Sequence, residues 1–321
     1  MIKTLSAYIG QYKKDSVKAP FYIIFEVLME ILIPFVTASI IDKGIQAGNM
    51  KNVYIYGGVM IVLAFVSLFC GVQAGKYAAS ASTGFACNLR EGIYTNIQNF
   101  AFSIDKYSTA GLITRMTTDV TNVQNAYQML LRIAVRAPLM MICSMVMCFI
   151  INPTLSFIFL GALILLGFVL FFIIYKVTPI FTEGFAKYDD LNASVQENVT
   201  GIRVVKAFVR EDHENKKFSK AAENLYKTFV KAESWLAFNN PIMMFVIYGS
   251  IIALSWFAAH FITDGTMTTG NLTSMFSYVM SMMMALMMLS MIFVMVSMSA
   301  ASARRIAEVL NEKADIINPE N

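Results

Sequence analysis

Two carboxylates lie where a protein rarely places them, inside a long apolar stretch near the N-terminus. Glu26 and Glu30 are four residues apart, so they share one face if this stretch is helical. Counted from Pro20 at about 1.5 Å per residue, they lie roughly 9 and 15 Å along that helix. Arg136, in a later apolar stretch, is expected at a depth near that of Glu26. We expect the carboxylates to face a pathway and bind cationic or amphiphilic molecules; the alternative is a structural ion pair with Arg136 or Lys76.

Other side chains that could do chemistry are sparse. His213 and His260 are far apart in the sequence, which argues against a histidine-based metal site. The cysteines show no zinc-ligand spacing and lie in or near apolar segments, where cysteine is usually a small buried hydrophobe: Cys70, Cys87, Cys143 and Cys148. The net charge of +4 is too small and too dispersed to indicate nucleic-acid binding. We therefore expect no catalytic residue, metal or cofactor on this chain, and no nucleic-acid partner.

The composition is that of a membrane protein. Of 321 residues, 57% are hydrophobic and only 14% are charged, whereas soluble domains carry about a quarter charged residues. A spanning helix needs about 20 mostly apolar residues, because its backbone must be hydrogen-bonded internally in lipid. Six stretches qualify: residues 20–41, 56–75, 130–151, 154–175, 241–262 and 272–299. The sequence therefore predicts an all-α membrane protein with six transmembrane helices.

The distribution of lysine and arginine predicts the orientation. The connections at 42–55, 152–153 and 263–271 are short and hold only Lys43 and Lys51 as cations. The other side carries the lysines of the first 18 residues, two long polar segments and the Arg304-Arg305 pair. Because positive residues favour the cytoplasm, we expect both termini and both long segments on the inner side of a plasma or inner membrane.

The two long polar segments, residues 78–129 and 176–240, have the pattern of helices. They contain few Pro or Gly breaks, and apolar residues recur at three- and four-residue spacing, as at Leu225, Phe229, Ala232 and Leu236. The simplest interpretation extends spans two to five as rods well beyond the bilayer. Long intracellular rods can act as levers, which a simple channel or secondary carrier needs less.

Residues 1–19 are predicted to form a separate element. Ile2, Leu5, Ile9 and Tyr12 recur at helical spacing with lysines on the other faces. This pattern suits an amphipathic elbow helix in the inner membrane interface, before Pro20 begins the first span; the alternative is a solvated tail. No cleavable signal peptide is expected, because residues 1–18 lack a continuous apolar core. Residues 20–311 then form the six-helix domain, and residues 312–321 follow it.

The sixth apolar stretch holds a continuous methionine stripe. Its members advance by three or four residues: Met280, Met284, Met287, Met291, Met295 and Met298. Because methionine is flexible and polarisable, the stripe is a candidate lining for a substrate pathway that accepts many apolar shapes. Helix packing or lipid contact is the alternative.

Three segments of the predicted inner side carry a family resemblance. They are residues 104–120 (IDKYSTAGLITRMTTDV), residues 197–212 (ENVTGIRVVKAFVRED) followed by Phe218, and residues 302–310 (SARRIAEVL). In this order and spacing, the chain resembles the transmembrane domain of ABC exporters of the multidrug and lipid type, most closely bacterial half-transporters that work as heterodimers. The resemblance implies a type 1 exporter fold, a domain-swapped dimer with a second homologous half, and nucleotide-binding domains that bind ATP and Mg²⁺.

The sequence departs from that family pattern in two places. Ala110 and Gly111 stand where the family usually has Gly followed by Asp or Glu, so a salt bridge from that acidic position is not expected. These 321 residues also contain no GxxxxGK[ST] phosphate loop. Residues 312–321 resemble the linker that leads to a nucleotide-binding domain. We therefore expect the ATPase to follow on a longer chain; the alternative is an ATPase on a separate chain.

The resemblance further implies that each long intracellular segment ends in a short coupling helix that docks on an ATPase domain. The docking residues would be Asp105, Tyr107, Leu112 and Arg115 in the first segment, and Phe208, Arg210, Glu211 and Asp212 in the second. Arg115 and Asp119 are four residues apart, so we expect them to pair with each other or to brace a neighbouring rod.

The function implied by the resemblance is ATP-driven export of amphiphilic, drug-like or lipid-like substrates by alternating access. Two alternatives stay open: a proton-coupled secondary carrier that uses Glu26 and Glu30, and a membrane scaffold that transports nothing. The long intracellular segments weigh against the carrier, and so does the lack of an evident inverted repeat between the two halves of the sequence.

Overall fold

The computed structural model describes residues 2–100 and 107–312, with the side chains of all these residues except Ile2, Phe293, Val294 and Met298. Within these ranges the chain forms helices and turns and no β-strand. Six helical segments are long and apolar enough to cross a membrane: Gly10–Ile45, Met50–Gln98, Thr109–Ile151, Pro153–Thr200, Glu211–Thr263 and Thr269–Asn311. The predicted all-α fold with six candidate spans is confirmed.

The helices follow one another with short connections. In chain order they are α1 (Ile2–Ala7), a 3-10 turn (Gly10–Tyr12), α2 (Lys13–Ile40), a π-helical turn (Ile41–Ile45), α3 (Met50–Gln98), α4 (Thr109–Thr114), a second π-helical turn (Arg115–Asp119), α5 (Val120–Ile151), α6 (Pro153–Thr200), α7 (Ile202–Ala207), α8 (Glu211–Ala237), α9 (Asn239–Thr263) and α10 (Thr269–Asn311).

The long helices extend well beyond the apolar stretches, as predicted for spans two to five. α3 has 49 residues and α6 has 48. At 1.5 Å per residue, a helix of that length measures about 72 Å, more than twice the roughly 30 Å thickness of a hydrocarbon core. α10 also continues past its apolar part, with 43 residues in all. The last span is therefore a long rod too, which the sequence analysis did not predict.

The chain divides into two compact units, Met1–Ser156 with Ser255–Asn321, and Phe157–Leu254. In the first unit, an apolar cluster joins the polar ends of α3, α5 and α10 around Phe85, Leu89, Val120 and Ile306. In the second unit, α6 packs on α8: Ile173, Val177 and Ala232 form a small core, and Lys187 donates a 2.8 Å hydrogen bond to Thr228.

The apolar side of the N-terminal segment packs on protein, and the predicted placement of this segment in the membrane interface stays a prediction. Leu5 is buried in the cluster of the first unit, and Tyr8 and Ile9 pack against it. The rings of Tyr8 and Tyr12 rest against Gly92 and Gly84 of α3, where any β-carbon would overlap them. The helix of the first span also begins at Lys13 and runs through Pro20, rather than beginning there.

These contacts hold the segment by complementary shape. Asn88, between the two glycines of α3, donates a 2.8 Å hydrogen bond to the Tyr8 carbonyl. The chain turns there at Gly10, whose φ of 50° lies in the left-handed region that glycine adopts without strain. Further along, Ser16 accepts a 2.8 Å hydrogen bond from Tyr127 of α5. Amphipathic periodicity alone could not show whether lipid or protein covers the apolar face.

At its other end, α2 is joined to the start of α10. The Asp42 carboxylate accepts hydrogen bonds from the Thr268 hydroxyl (2.6 Å) and the Gly270 N–H (2.9 Å), so it caps the N-terminus of α10. A side chain on Gly270 would lie 2.5 Å from the carbonyl of Ala38, which explains the glycine. The helices of the first and last spans therefore approach closely at this end.

Candidate functional site

The three charged residues predicted at similar depth do meet. Arg136 of α5 lies between the two carboxylates of α2, and one of its terminal nitrogens donates to Glu26. The other donates to both oxygens of Glu30, at 2.9 and 2.7 Å. α3 closes the cluster, because a β-carbon on Gly71 would lie 3.1 Å from Glu26 Oε1. This arrangement is the Arg136 ion pair that the sequence analysis kept as the structural alternative.

The cluster holds one excess negative charge when all three groups are ionised, because one guanidinium faces two carboxylates. Lys76, the other cation considered, is exposed and forms no ion pair with either glutamate in the described part of the chain. The side chains of Glu26 and Glu30 are 15% and 35% exposed. An unpaired carboxylate in a span costs about 2.5–3.5 kcal/mol on insertion scales, so the shared arginine stabilises both. Glu30 keeps access to the surface of this half of the chain.

The methionines of α10 divide between two faces. Met275, Met282 and Met283 are fully buried. The stripe lies on the other side: Met280, Met284 and Met291 are 43%, 59% and 58% exposed, and Met287 and Met295 are half-buried. The Met298 side chain lies outside the described set. The stripe is therefore available to a substrate, a second half or lipid, while the buried methionines fill the core.

The first long polar segment, residues 78–129, packs against its own chain. Leu112 is buried in the cluster of the first unit, so its side chain does not lie at the docking surface predicted for it. The Tyr107 ring packs on the same cluster, and its hydroxyl donates a 3.0 Å hydrogen bond to Glu312. Asp105, also predicted to dock, lies outside the described residues. In the sequence Leu112 is an apolar residue among polar neighbours. Only the packing of the helices shows that its side chain is covered by protein.

Arg115 and Asp119 do not pair with each other in the described structure; each finds a partner on α10. Arg115 lies 3.5 Å from Glu308 and stacks over the Tyr107 ring. Asp119 is 1% exposed and accepts hydrogen bonds from Arg305 at 2.8 and 2.5 Å. The expected pairing within one helix is corrected to a pairing between two helices, and the alternative of bracing a neighbouring rod is the one that the structure shows.

Asp119 lies outside the apolar stretches, and its environment favours the ionised form. Burial alone raises the pKa of this carboxyl, but hydrogen bonds from Arg305 and Ser302, with the positive charges of Arg305 and Arg115, outweigh burial and lower it. The sequence analysis missed Arg305 and Glu308 as partners. The sequence signal for these partners is the order of charges in residues 302–310. That order indicates a pairing only once the structure places α10 beside Asp119.

The second long polar segment, residues 176–240, contains a short exposed helix. α7 begins after Gly201, and Phe208 follows it with 72% of its surface exposed. Next comes Val209, 80% exposed, at a φ of 51° that a β-branched residue rarely adopts. At the start of α8, Glu211 accepts a 2.9 Å hydrogen bond from Lys206, and Arg210 and Asp212 are also at or near the surface. The exposed aromatic ring of Phe208 is therefore bordered by charged side chains.

Residues 18–287 match the family described as the ABC transporter transmembrane region. This chain belongs to that family: it is an ABC transporter transmembrane domain and a multi-pass membrane protein. It is 32% identical over 90% of its length to the uncharacterized ABC transporter ATP-binding protein YfiB of Bacillus subtilis, of which the match covers 51%.

Two further relatives widen the comparison. The uncharacterized ABC transporter ATP-binding protein Rv1273c of Mycobacterium tuberculosis is 27% identical over 100% of this chain and 55% of its own length. The ATP-dependent lipid A-core flippase of Syntrophus aciditrophicus is 24% identical over 72% of this chain and 39% of its own. The chain thus spans about half the length, or less, of the curated relatives that it matches.

Proposed function

We propose that this chain forms half of the translocation pathway of an ATP-driven exporter. It moves amphiphilic, drug-like or lipid-like molecules out of the cytoplasm by alternating access, with both termini on the cytoplasmic side of the cell membrane. A second homologous half, identical or paralogous, completes the pathway in a domain-swapped dimer. Nucleotide-binding domains bind ATP and Mg²⁺ and supply the differential affinity for two states that any ligand needs to drive a conformational change.

The observation that carries this proposal is the exposed tip at α7. Phe208 and Val209 present apolar surface to water between the 48-residue α6 and the 27-residue α8. A large exposed aromatic ringed by polar residues has the anatomy of a binding hot spot. The two long helices supply a lever from that tip to the predicted bilayer. The relatives named as ATP-binding proteins support an ATPase domain as the docked partner.

The substrate pathway is proposed to lie along the first and last spans. Glu30 is part-exposed beside Arg136, and the stripe of Met280, Met284 and Met291 offers adaptable apolar surface. The excess negative charge of the cluster favours molecules that combine an apolar body with a cationic group. The relative named as a lipid A-core flippase supports amphiphiles more generally as the substrate class.

The proposed function is tested by reconstituting the chain with its nucleotide-binding domains and second half in inside-out vesicles. Uptake of a fluorescent amphiphilic cation is compared with ATP and with an imposed proton gradient. The proposal expects uptake with ATP only. Uptake driven by the proton gradient without ATP would favour the secondary carrier. The absence of both uptake and substrate-stimulated ATP hydrolysis would favour the scaffold.

Phe208→Ala tests the coupling within the same assay, and Tyr226→Ala, an exposed aromatic of α8, is its control. A hot spot of about 2 kcal/mol corresponds to roughly a thirtyfold loss of docking affinity, so ATP-dependent uptake should fall steeply for Phe208→Ala alone. For the pathway, Glu30→Gln should lower uptake of the cation but not ATP hydrolysis. If Glu30→Gln left uptake of the cation unchanged while Arg136→Gln lowered expression, the cluster would have a purely structural role.

A further inference from the structure

The contacts between the α4–α5 junction and the end of α10 have a regular order. Arg115 pairs with Glu308, Asp119 with Arg305, and Asn122 donates a 3.2 Å hydrogen bond to Ser302. As the residue numbers rise on one helix they fall on the other, so the two helices run antiparallel in a single register. We call the four charged residues Arg115, Asp119, Arg305 and Glu308 the clasp.

The charges of the clasp alternate on both helices. Moving α10 by one turn, about 5.4 Å, in one direction would bring Glu308 opposite Asp119. Moving it one turn in the other direction would bring Arg305 opposite Arg115. Either shift replaces attraction with repulsion between like charges, in addition to disrupting the buried apolar contacts around Val120 and Ile306. The order of the charges therefore disfavours both neighbouring registers.

Further contacts act in the same direction. The 1% exposed Asp119 accepts two hydrogen bonds from Arg305, so a shift would leave a buried carboxylate without its ion-pair partner. Asn96 of α3 donates hydrogen bonds from its side-chain amide to the carbonyls of Val309 (2.6 Å) and Glu312 (3.1 Å), at the end of α10. Three helices, α3, α5 and α10, are thus tied at this one end of the first unit.

We propose that the clasp is a register lock that positions the intracellular ends of α5 and α10, so that they move as one body during transport. Arg115 and Glu308 are positioning residues in this role, since they act on the register and touch no substrate. This inference rests on the proposed function, in which displacement of the intracellular ends drives the pathway. Sliding of packed helices by one turn is a known mode of conformational change, and the lock excludes it here.

Two double variants separate a register lock from an ordinary ion pair. In the inverted pair, Arg115→Glu with Glu308→Arg, the native register keeps opposite charges, but both shifted registers also become attractive. In the neutral pair, Arg115→Gln with Glu308→Gln, the ion pair is lost and the shifted registers are neither attractive nor repulsive at this pair. A register lock predicts that the wild type keeps the native register most strictly, the neutral pair less strictly and the inverted pair least strictly. An ordinary ion pair predicts that the inverted pair behaves like wild type and the neutral pair is worst.

The register is measured directly in the assembled transporter. Spin labels at Asn125→Cys and Asn311→Cys, both exposed, are introduced after replacement of Cys70, Cys87, Cys143 and Cys148. These label sites are far apart along the helices, so a one-turn shift changes their separation by up to about 5 Å in either direction. Electron–electron dipolar distances are recorded without nucleotide and during ATP hydrolysis, beside transport per ATP hydrolysed.

The expected result for the inverted pair is a second distance population and about a fivefold lower transport per ATP, the size of one exposed ion pair. A single distance and wild-type coupling in the inverted pair, whatever the neutral pair does, would overturn the proposal. If the wild-type assembly does not transport at all, the proposed function fails, while the distances still decide whether the register is locked.

Discussion

The hydroxyl of Tyr278 in α10 donates a 2.9 Å hydrogen bond to the carbonyl of Ile31 in α2. One turn away along α10, the Ser274 hydroxyl donates a 2.5 Å bond to the carbonyl of Pro34. Pro34 lacks the N–H that would bond the Glu30 carbonyl, so α2 loses one ladder hydrogen bond just before the two carbonyls that α10 contacts. The last span therefore supports the proline-containing part of the first.

Tyr278→Phe tests this support. Removing one hydrogen bond while keeping the ring should lower the free energy of unfolding by about 0.5–1.5 kcal/mol. Thermal melting of the purified domain in detergent measures the loss as a lower Tm. Tyr248→Phe is the control, since Tyr248 is 59% exposed and its hydroxyl makes no hydrogen bond to the described chain. Equal melting of the two variants would show that the bond contributes nothing.

Arg136→Gln should destabilise the protein strongly, because it leaves Glu26 and Glu30 without their cation. At about 2.5–3.5 kcal/mol for a carboxylate in a span, the variant should accumulate poorly in membranes. The triple variant with Glu26→Gln and Glu30→Gln removes the stranded charges and should restore much of the yield. Membrane fractions probed for an epitope tag measure this. A triple variant no better than Arg136→Gln alone would mean that packing, rather than charge, holds the cluster.

Gly92→Ala should release the N-terminal segment from α3, because the added methyl overlaps the ring of Tyr8. Hydrogen exchange of residues 2–12 is expected to rise, although alanine is the better helix former by about 1 kcal/mol. Gly75→Ala in the same helix is the matched control, since nothing lies within 4 Å of its added methyl, and it should leave that exchange unchanged. Combining Gly92→Ala with Tyr8→Ala should relieve the overlap. Unchanged exchange in Gly92→Ala would contradict the packing described for Tyr8.

Val209→Gly should stabilise the isolated domain, because glycine adopts a φ of 51° without the strain that valine bears there. A gain of about 1 kcal/mol is expected, measured as a higher midpoint in denaturant. Val204→Gly, also exposed but inside α7, should instead destabilise by roughly 0.5 kcal/mol, since glycine is a poorer helix former than valine. Losses of similar size in both variants would show that the Val209 backbone carries no strain.

The sequence by itself determined the features that depend on local periodicity. Hydropathy over about 20 residues identified six spans, and the four-residue spacing of Glu26 and Glu30 placed both on one face of α2, within reach of Arg136. Phe208, which the family resemblance implied as a docking residue, is exposed. These predictions hold because a helix fixes the relation between residues three and four apart, wherever that helix packs.

Only the tertiary structure decided which helices are neighbours, and hence which partner each side chain meets. Asp119 could pair with Arg115 in its own segment, yet it meets Arg305, far along the chain. Leu112 was expected at a docking surface and is buried, because it packs in the apolar cluster that α3, α5 and α10 share. The N-terminal segment had an apolar face suited to lipid, but Gly84 and Gly92 leave room on α3 for its tyrosines. Periodicity shows that a face is apolar; the surface that covers it is set by packing between elements distant in sequence.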